Sequence, residues 1–178
     1  MRSSSRSDII EAALRVVDTA EGPDITYESV SREVGLSKAG LMYHFPTKDA
    51  MMVAVMEHVV DRWKRELIEV LAVPLESSTL AERVRAFVRF AGVGGVTQGE
   101  FVVFAEAVRR SELSAPWLNW LRTWFGFGAT EEAVPLLLVW LAANGLWIAE
   151  ASGILNITDA QRERLVENLV GMIEGSRA

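Results

Sequence analysis

Seven times in this chain a residue able to cap a helix stands just ahead of a stretch whose apolar residues recur every three or four positions. Thr79 with Glu82 and Thr158 with Gln161 have capping-box spacing, and Asp8 with Glu11 resembles it. Thr26, Ser37 and Thr47 are further N-cap residues, and Thr130-Glu131-Glu132 opens another helix. Ile25 with Val30, and Leu36 with Leu41, add the hydrophobic contact that fixes a helix entry. The stops are as regular: Gly22-Pro23, Gly35, Pro46, Pro74 and the Gly92–Gly99 stretch. Strand-like alternation is missing, and Pro and Gly fall between the periodic segments. These signals predict an all-α fold of about nine helices.

The first helix is expected over 8–21, with Ile10, Ala13, Leu14 and Val17 inward. Helix two follows Thr26, helix three covers the few residues between Ser37 and Pro46, and helix four runs over 48–72. Met52, Val55, Val59, Trp63 and Leu67 stripe that fourth helix. A fifth helix follows Thr79, a sixth covers 98–110, and a seventh starts near Ser114. The eighth reaches about Gly153, and Pro135 either kinks it or marks its first turn. The ninth follows Thr158. The domain boundaries that follow are 1–47 for an N-terminal three-helix unit, 48–72 for a connecting helix, and 73–178 for a C-terminal ligand-binding and dimerisation domain.

Composition narrows the function. There is no Cys among the 178 residues, hence no disulfide framework, thiolate metal site or Cys nucleophile. No cofactor and no metal site are expected. The N-terminus lacks an apolar run before its first acid, so it has no signal-peptide pattern. The apolar stretch 134–149 is shorter than the roughly 20 residues of a membrane span and reads as a buried core helix. A cytoplasmic protein with no membrane partner is expected. The net charge of −6 rules out a chain-wide electrostatic grip on nucleic acid, so any DNA binding must rest on a local motif.

That motif is present. Helices two and three are joined by Val34-Gly35-Leu36-Ser37, a short turn bent at Gly, which is the pattern of a helix-turn-helix. In helix three, Leu41 and Phe45 face the core. Ala39 and Tyr43 lie opposite, with Gly40 and Met42 on the flanks. The exposed face is therefore small at its N-terminal end, and Tyr43 and His44 can donate to phosphate oxygens. Lys38 and Lys48 break a local rule: each stands in the first turn of a helix, beside the positive end of its dipole. A phosphate lying across both N-termini would turn that conflict into attraction.

The stretch "ITYESVSREVGLSKAGLMYHFPTKDAMMVAV" closely resembles the DNA-binding segment of TetR-family transcriptional regulators. The match covers about residues 9–55. The resemblance implies an all-α homodimer, usually a repressor, released from a palindromic double-stranded DNA operator by a small-molecule effector. It also implies phosphate contacts at Thr26, Ser37, Tyr43, His44 and Lys48, and groove-facing positions at Lys38, Ala39 and Gly40. Met42 stands where many relatives carry a second aromatic.

The remainder is rich in large aromatics. All six Trp lie at or after Trp63. Trp63, Phe87, Phe104, Trp117, Trp120, Trp124 and Trp140 are candidate walls of a small-molecule cavity, with Glu106 and Asn144 as its polar groups. Aromatic walls with a carboxylate suit an aromatic or lipophilic cation. This composition is similar to that of multidrug-sensing members of the family. Helix four joins Lys48 to Trp63, so a ligand wedging Trp63 would swing helix four and misplace the reading heads. Trp63→Ala is then expected to uncouple ligand from DNA release. Dimerisation is expected through Leu146, Trp147, Glu150, Leu165, Leu169 and Ile173. An enzyme fits poorly: His44 and His58 form no metal pair, and the Gly92–Gly99 stretch lacks dinucleotide-loop spacing. The alternative is a helical small-molecule carrier or interaction module without DNA-binding activity.

Overall fold

A computed structural model describes residues 6–18, 25–93, 97–128 and 130–175, without the side chains of residues 109 and 111–113. Among them lie nine α-helices and no strand. They are α1 (Arg6–Val17), α2 (Tyr27–Val34), α3 (Lys38–His44), α4 (Lys48–Leu71), α5 (Leu80–Gly92), α6 (Gln98–Arg109), α7 (Ser111–Phe125), α8 (Val134–Ala151) and α9 (Asp159–Gly175).

Most start signals act as their chemistry requires. Thr26 and Ser29 form a reciprocal capping box, and Ser37 Oγ accepts from the Gly40 N–H at 3.1 Å. Thr47 Oγ1 accepts from the Ala50 N–H at 3.0 Å. Thr79 with Glu82 and Thr158 with Gln161 form the expected boxes. A further box, Thr97 with Glu100, opens α6 from within the glycine-rich stretch.

Three expectations change. Asp8 is not a cap: α1 already includes Arg6, so Asp8 sits in its first turn, where an acid complements the dipole. The Gly22-Pro23 stop lies outside the described residues. Thr130 makes no side-chain cap bond; a 3-10 turn over Glu131–Ala133 comes first, and Pro135 occupies the first turn of α8. The start of α7 moves back one turn, because the Ser114 N–H is already bonded to the Arg110 carbonyl. Pro116 thus lies inside that helix.

The chain forms two compact units, and their division cuts through α4 after Asp61 and through α7 after Leu118. One unit takes the described residues up to Asp61 together with Thr97–Leu118. The other takes those from Arg62 to Val93 and from Asn119 onward. Residues 97–118, expected in the C-terminal domain, therefore group with the helix-turn-helix. In the first unit α1 packs against α2 and α6, and α2 packs against α3. Ile9, Ala13, Val30, Leu41, Phe45 and Val55 are buried there. In the second unit α5 packs against both α8 and α9. Trp63, Phe87, Trp120, Trp124, Phe125 and Trp147 dominate that core.

Within its unit the apolar helix α8 is buried along one side. Val139, Ala143, Leu146 and Trp147 face inward, while Val134, Leu138 and Leu141 are more than half exposed. Its length and hydropathy would also suit a membrane span. The inward face, however, is used by the core of its own unit.

Candidate nucleic-acid interface and effector cluster

The turn before α3 is built on backbone geometry. Gly35 ends α2 at φ +74°, a left-handed conformation that glycine adopts without a Cβ clash. The Leu36 N–H then bonds to the Ser31 carbonyl at 3.0 Å. The chain is thereby turned so that Ser37 can cap α3. Leu41 and Phe45 are essentially fully buried and anchor this short helix. The Tyr27 hydroxyl donates to the Phe45 carbonyl at 2.7 Å, which satisfies its C-terminal end. Burial, and secondarily the Asp49 carboxylate, push the Tyr27 phenol above its ordinary pKa, so it remains a donor. The Arg6 guanidinium lies 4.6 Å from the Phe45 ring centroid and braces the same corner.

The outward face of α3 follows the expected wheel. Tyr43 is 86% exposed and Met42 45% exposed. Ser37, Lys38 and Ala39 are exposed, and Gly40, His44 and Thr26 are half-buried. Tyr43 and His44 meet edge to face at 5.4 Å. A Cβ at Gly40 would come no closer than 3.4 Å to Ser37 Oγ, so the protein's own packing does not demand glycine there. Lys48 is exposed at the start of α4, and no acid lies in the first turn of α3. The first turn of α4 does hold one, Asp49, and Arg110 reaches its carboxylate at 2.5 Å. Sequence reasoning missed this pair. Asp49 is visible beside Lys48, but nothing local announces that Arg110 will meet it.

The candidate effector residues divide between the units. Phe104, Glu106 and Trp117 belong to the first, where the Phe104 and Trp117 rings meet edge to face at 5.0 Å. Glu106 is half-buried. Trp63, Phe87, Trp120, Trp124, Trp140 and Asn144 belong to the second. Trp63 packs on Trp120 at 6.4 Å and edge to face on Trp147 at 5.6 Å. Trp120 and Trp124 continue this cluster to Phe125. Around Trp140 stand Phe87 at 6.0 Å, Phe125 at 5.6 Å and Phe127 at 5.7 Å. The Trp140 Nε1 is buried and meets no acceptor among the described residues. Asn144 spends its amide on its own helix, donating to the Trp140 carbonyl at 2.8 Å.

The expected dimer residues are placed differently. Leu146, Trp147, Leu169 and Ile173 are buried within the protomer. The Glu150 carboxylate accepts from Arg162 at 2.5 Å inside the same unit. These five side chains are therefore committed to their own fold, and only Leu165, 42% exposed, faces out. The exposed apolar stripe of α8 is Val134, Leu138, Leu141 and Ile148, with Gly145 completing a spacing of four and three residues in alternation. On α9, Leu165 and Met172 lie on a similar line with Gln161 and Asn168. An open groove of about 670 Å³ runs beside them, lined by Leu155, Ile157, Ala160 and Leu165 among others.

Comparisons with known proteins agree with this architecture. Residues 81–174 match the family described as tetracyclin repressor-like, C-terminal domain. The chain is 36% identical over 64 residues to the HTH-type transcriptional regulator BetI of Burkholderia cenocepacia (strain HI2424). That match spans 35% of this chain and 33% of the relative, about a third of each. Among solved structures, a transcriptional regulator from Rhodococcus sp. Rha1 superposes with a TM-score of 0.72 at 20% identity, over 97% of both chains. The multidrug binding protein EbrR complexed with malachite green gives 0.67 at 23% identity, over 95% of this chain and 98% of that one. EbrR has also been solved with ethidium. At these identities the structural likeness concerns the fold.

Proposed function

Because this chain belongs to the TetR family of transcriptional regulators, we propose that it binds a palindromic operator as a homodimer through α3 and is released by a small lipophilic aromatic compound. The observation that carries the DNA half is the outward face of α3. Ala39 and Gly40 leave its N-terminal end low enough to approach base edges, Lys38 reaches out beside them, and Tyr43 stands exposed further along. Thr26, Ser37, His44 and Lys48 surround that face as phosphate contacts, and Met42 flanks it as a groove-facing side chain. Two such heads must stand roughly 34–36 Å apart to enter successive major grooves. A ligand that favours another separation lowers operator affinity by its preference for that state.

Replacing the two lysines separately tests the DNA half. Lys48→Gln is expected to weaken operator and unrelated duplexes alike, and to lower the slope of log affinity against log salt by about 1.8, since each of the two protomers loses one phosphate contact. Lys38→Gln is expected to weaken operator binding more than binding to unrelated DNA, because a base-facing lysine carries sequence preference. Fluorescence anisotropy over a salt series, on a duplex selected from random sequence, reads both. Equal losses on all duplexes from Lys38→Gln would move that residue to the phosphate set.

The ligand half rests on the aromatic ring cluster around Trp140, at the half-exposed edge of the second unit's core. A net charge of −6 favours cations over anions at such ring faces. EbrR, similar in fold, has been solved with malachite green and ethidium, both aromatic cations. Calorimetry is expected to show saturable binding of one of these dyes and release of operator on its addition. Trp140→Ala is expected to weaken the dye by about tenfold while leaving operator binding in its absence unchanged. Dye binding that ignores Trp140 would place the effector elsewhere.

The dimer half rests on the exposed apolar stripe of α8. A spacing of four and three residues in alternation is the seam by which one helix packs along another. The occupant we assign to it is the same stripe of a second copy, since an operator-reading head works in pairs.

A further inference from the structure

Helix α6 lies far along the chain from the helix-turn-helix, yet it is fastened to that unit at both ends. At its start, the Gly99 N–H donates to Asp18 Oδ1 at 3.0 Å, so the residue that follows α1 helps cap α6. Approach is close there. A Cβ on Gly99 would meet Asp18 Oδ1 and Val17 Cγ2 at 3.0 Å and the Asp18 backbone nitrogen at 3.2 Å. At its end, Arg110 reaches Asp49, the residue after Lys48 in the first turn of α4. Between these points Val103 and Ala107 are buried, and α6 packs along α1.

We propose that α6 is a working part of the reading head, and that Arg110 is a positioning residue which, through Asp49, holds the first turn of α4 and its Lys48 anchor in register with α3. The proposal rests on the operator-binding reading and extends it to a residue outside the helix-turn-helix. It has an electrostatic side. Asp49 beside Lys48 would repel phosphate, and the guanidinium both neutralises the carboxylate and fixes its direction.

Charge sign makes the test decisive. Arg110→Gln is expected to weaken operator binding about tenfold with the salt slope unchanged, because Arg110 serves a carboxylate and not a phosphate. Asp49→Asn is expected to weaken binding as well, although removing an acid from beside a phosphate anchor would by itself tighten it. The double variant should be no worse than either single one, as for two members of one interaction. Arg110→Lys, which keeps the charge, should recover most of the loss. Gly99→Ala tests the other end and should also weaken binding. Thermal unfolding of each variant separates a lost register from a lost fold. The proposal is overturned by Asp49→Asn tightening the complex, by Arg110→Gln lowering the salt slope by about 1.8, one phosphate contact for each protomer, or by losses that simply add. If the wild type binds no duplex, the operator reading itself falls. If the wild type binds tightly and the variants match it, only the role given to Arg110 falls.

Discussion

Trp63→Ala is expected to destabilise the protein by about 3–5 kcal/mol, the usual loss when a buried Trp is cut back and its cavity stays open. Trp63 is 1% exposed. Its ring touches Trp120 from α7 and Trp147 from α8, so truncation removes a contact shared by three helices within the second unit's core. The sequence alone makes this residue a ligand lever whose removal spares DNA affinity. Its burial changes that expectation, because the alanine variant would lose structure along with coupling. Trp63→Phe is the better probe of signalling, since it keeps an aromatic ring against its two neighbours. Denaturant unfolding monitored by far-ultraviolet circular dichroism measures the first effect. Operator release titrated with dye measures the second. A loss near 1 kcal/mol or less in Trp63→Ala would mean the neighbouring rings collapse into the space, and that the cluster is softer than its geometry indicates.

Local chemistry made most of the fold readable. Thr26, Ser37, Thr47, Thr79 and Thr158 act within three residues of themselves, so their role needs no tertiary information. The outward face of α3 was readable for the same reason: Leu41 and Phe45, four apart, fix the rotation of so short a helix. Thr97 with Glu100 has the same spacing but hides among glycines that read as a break. Other features depend on what meets what. Arg110 and Asp49 lie on different helices, and neither residue's neighbours encode the other. Asn144 reads as a polar group facing a cavity, yet an i−4 carbonyl is always within its reach and accepts its amide here. On α8, apolar residues go nearly all the way round, so periodicity carries no angular preference. The inward assignment of Leu146 and Trp147, and the outward one of Leu138 and Leu141, come only from packing on α5 and α9.

That last distinction yields the largest expected effect on assembly. Leu141 is 53% exposed at the middle of the α8 stripe, whereas Leu146, five residues on, is 7% exposed in the core. In a two-fold interface the same patch meets itself, so Leu141→Glu sets two carboxylates face to face where apolar contact was due. An unpaired charge at such a seam is expected to weaken the dimer about a hundredfold or more while the protomer stays folded. Sedimentation should show a monomer at micromolar concentration, with a helical spectrum and an unfolding midpoint close to those of a dissociated wild-type protomer. Operator binding should fall with it, and its salt slope should drop by about half, because one head meets half the phosphates. Leu146→Glu is the contrast. Its carboxylate would enter the α5–α8 core and abolish folding instead of dissociating a folded pair. If Leu141→Glu sediments as the wild-type dimer, the stripe is not the seam. If Leu146→Glu stays folded but monomeric, the burial of α8 is reversed, and the interface lies on the face assigned to the core of the protomer.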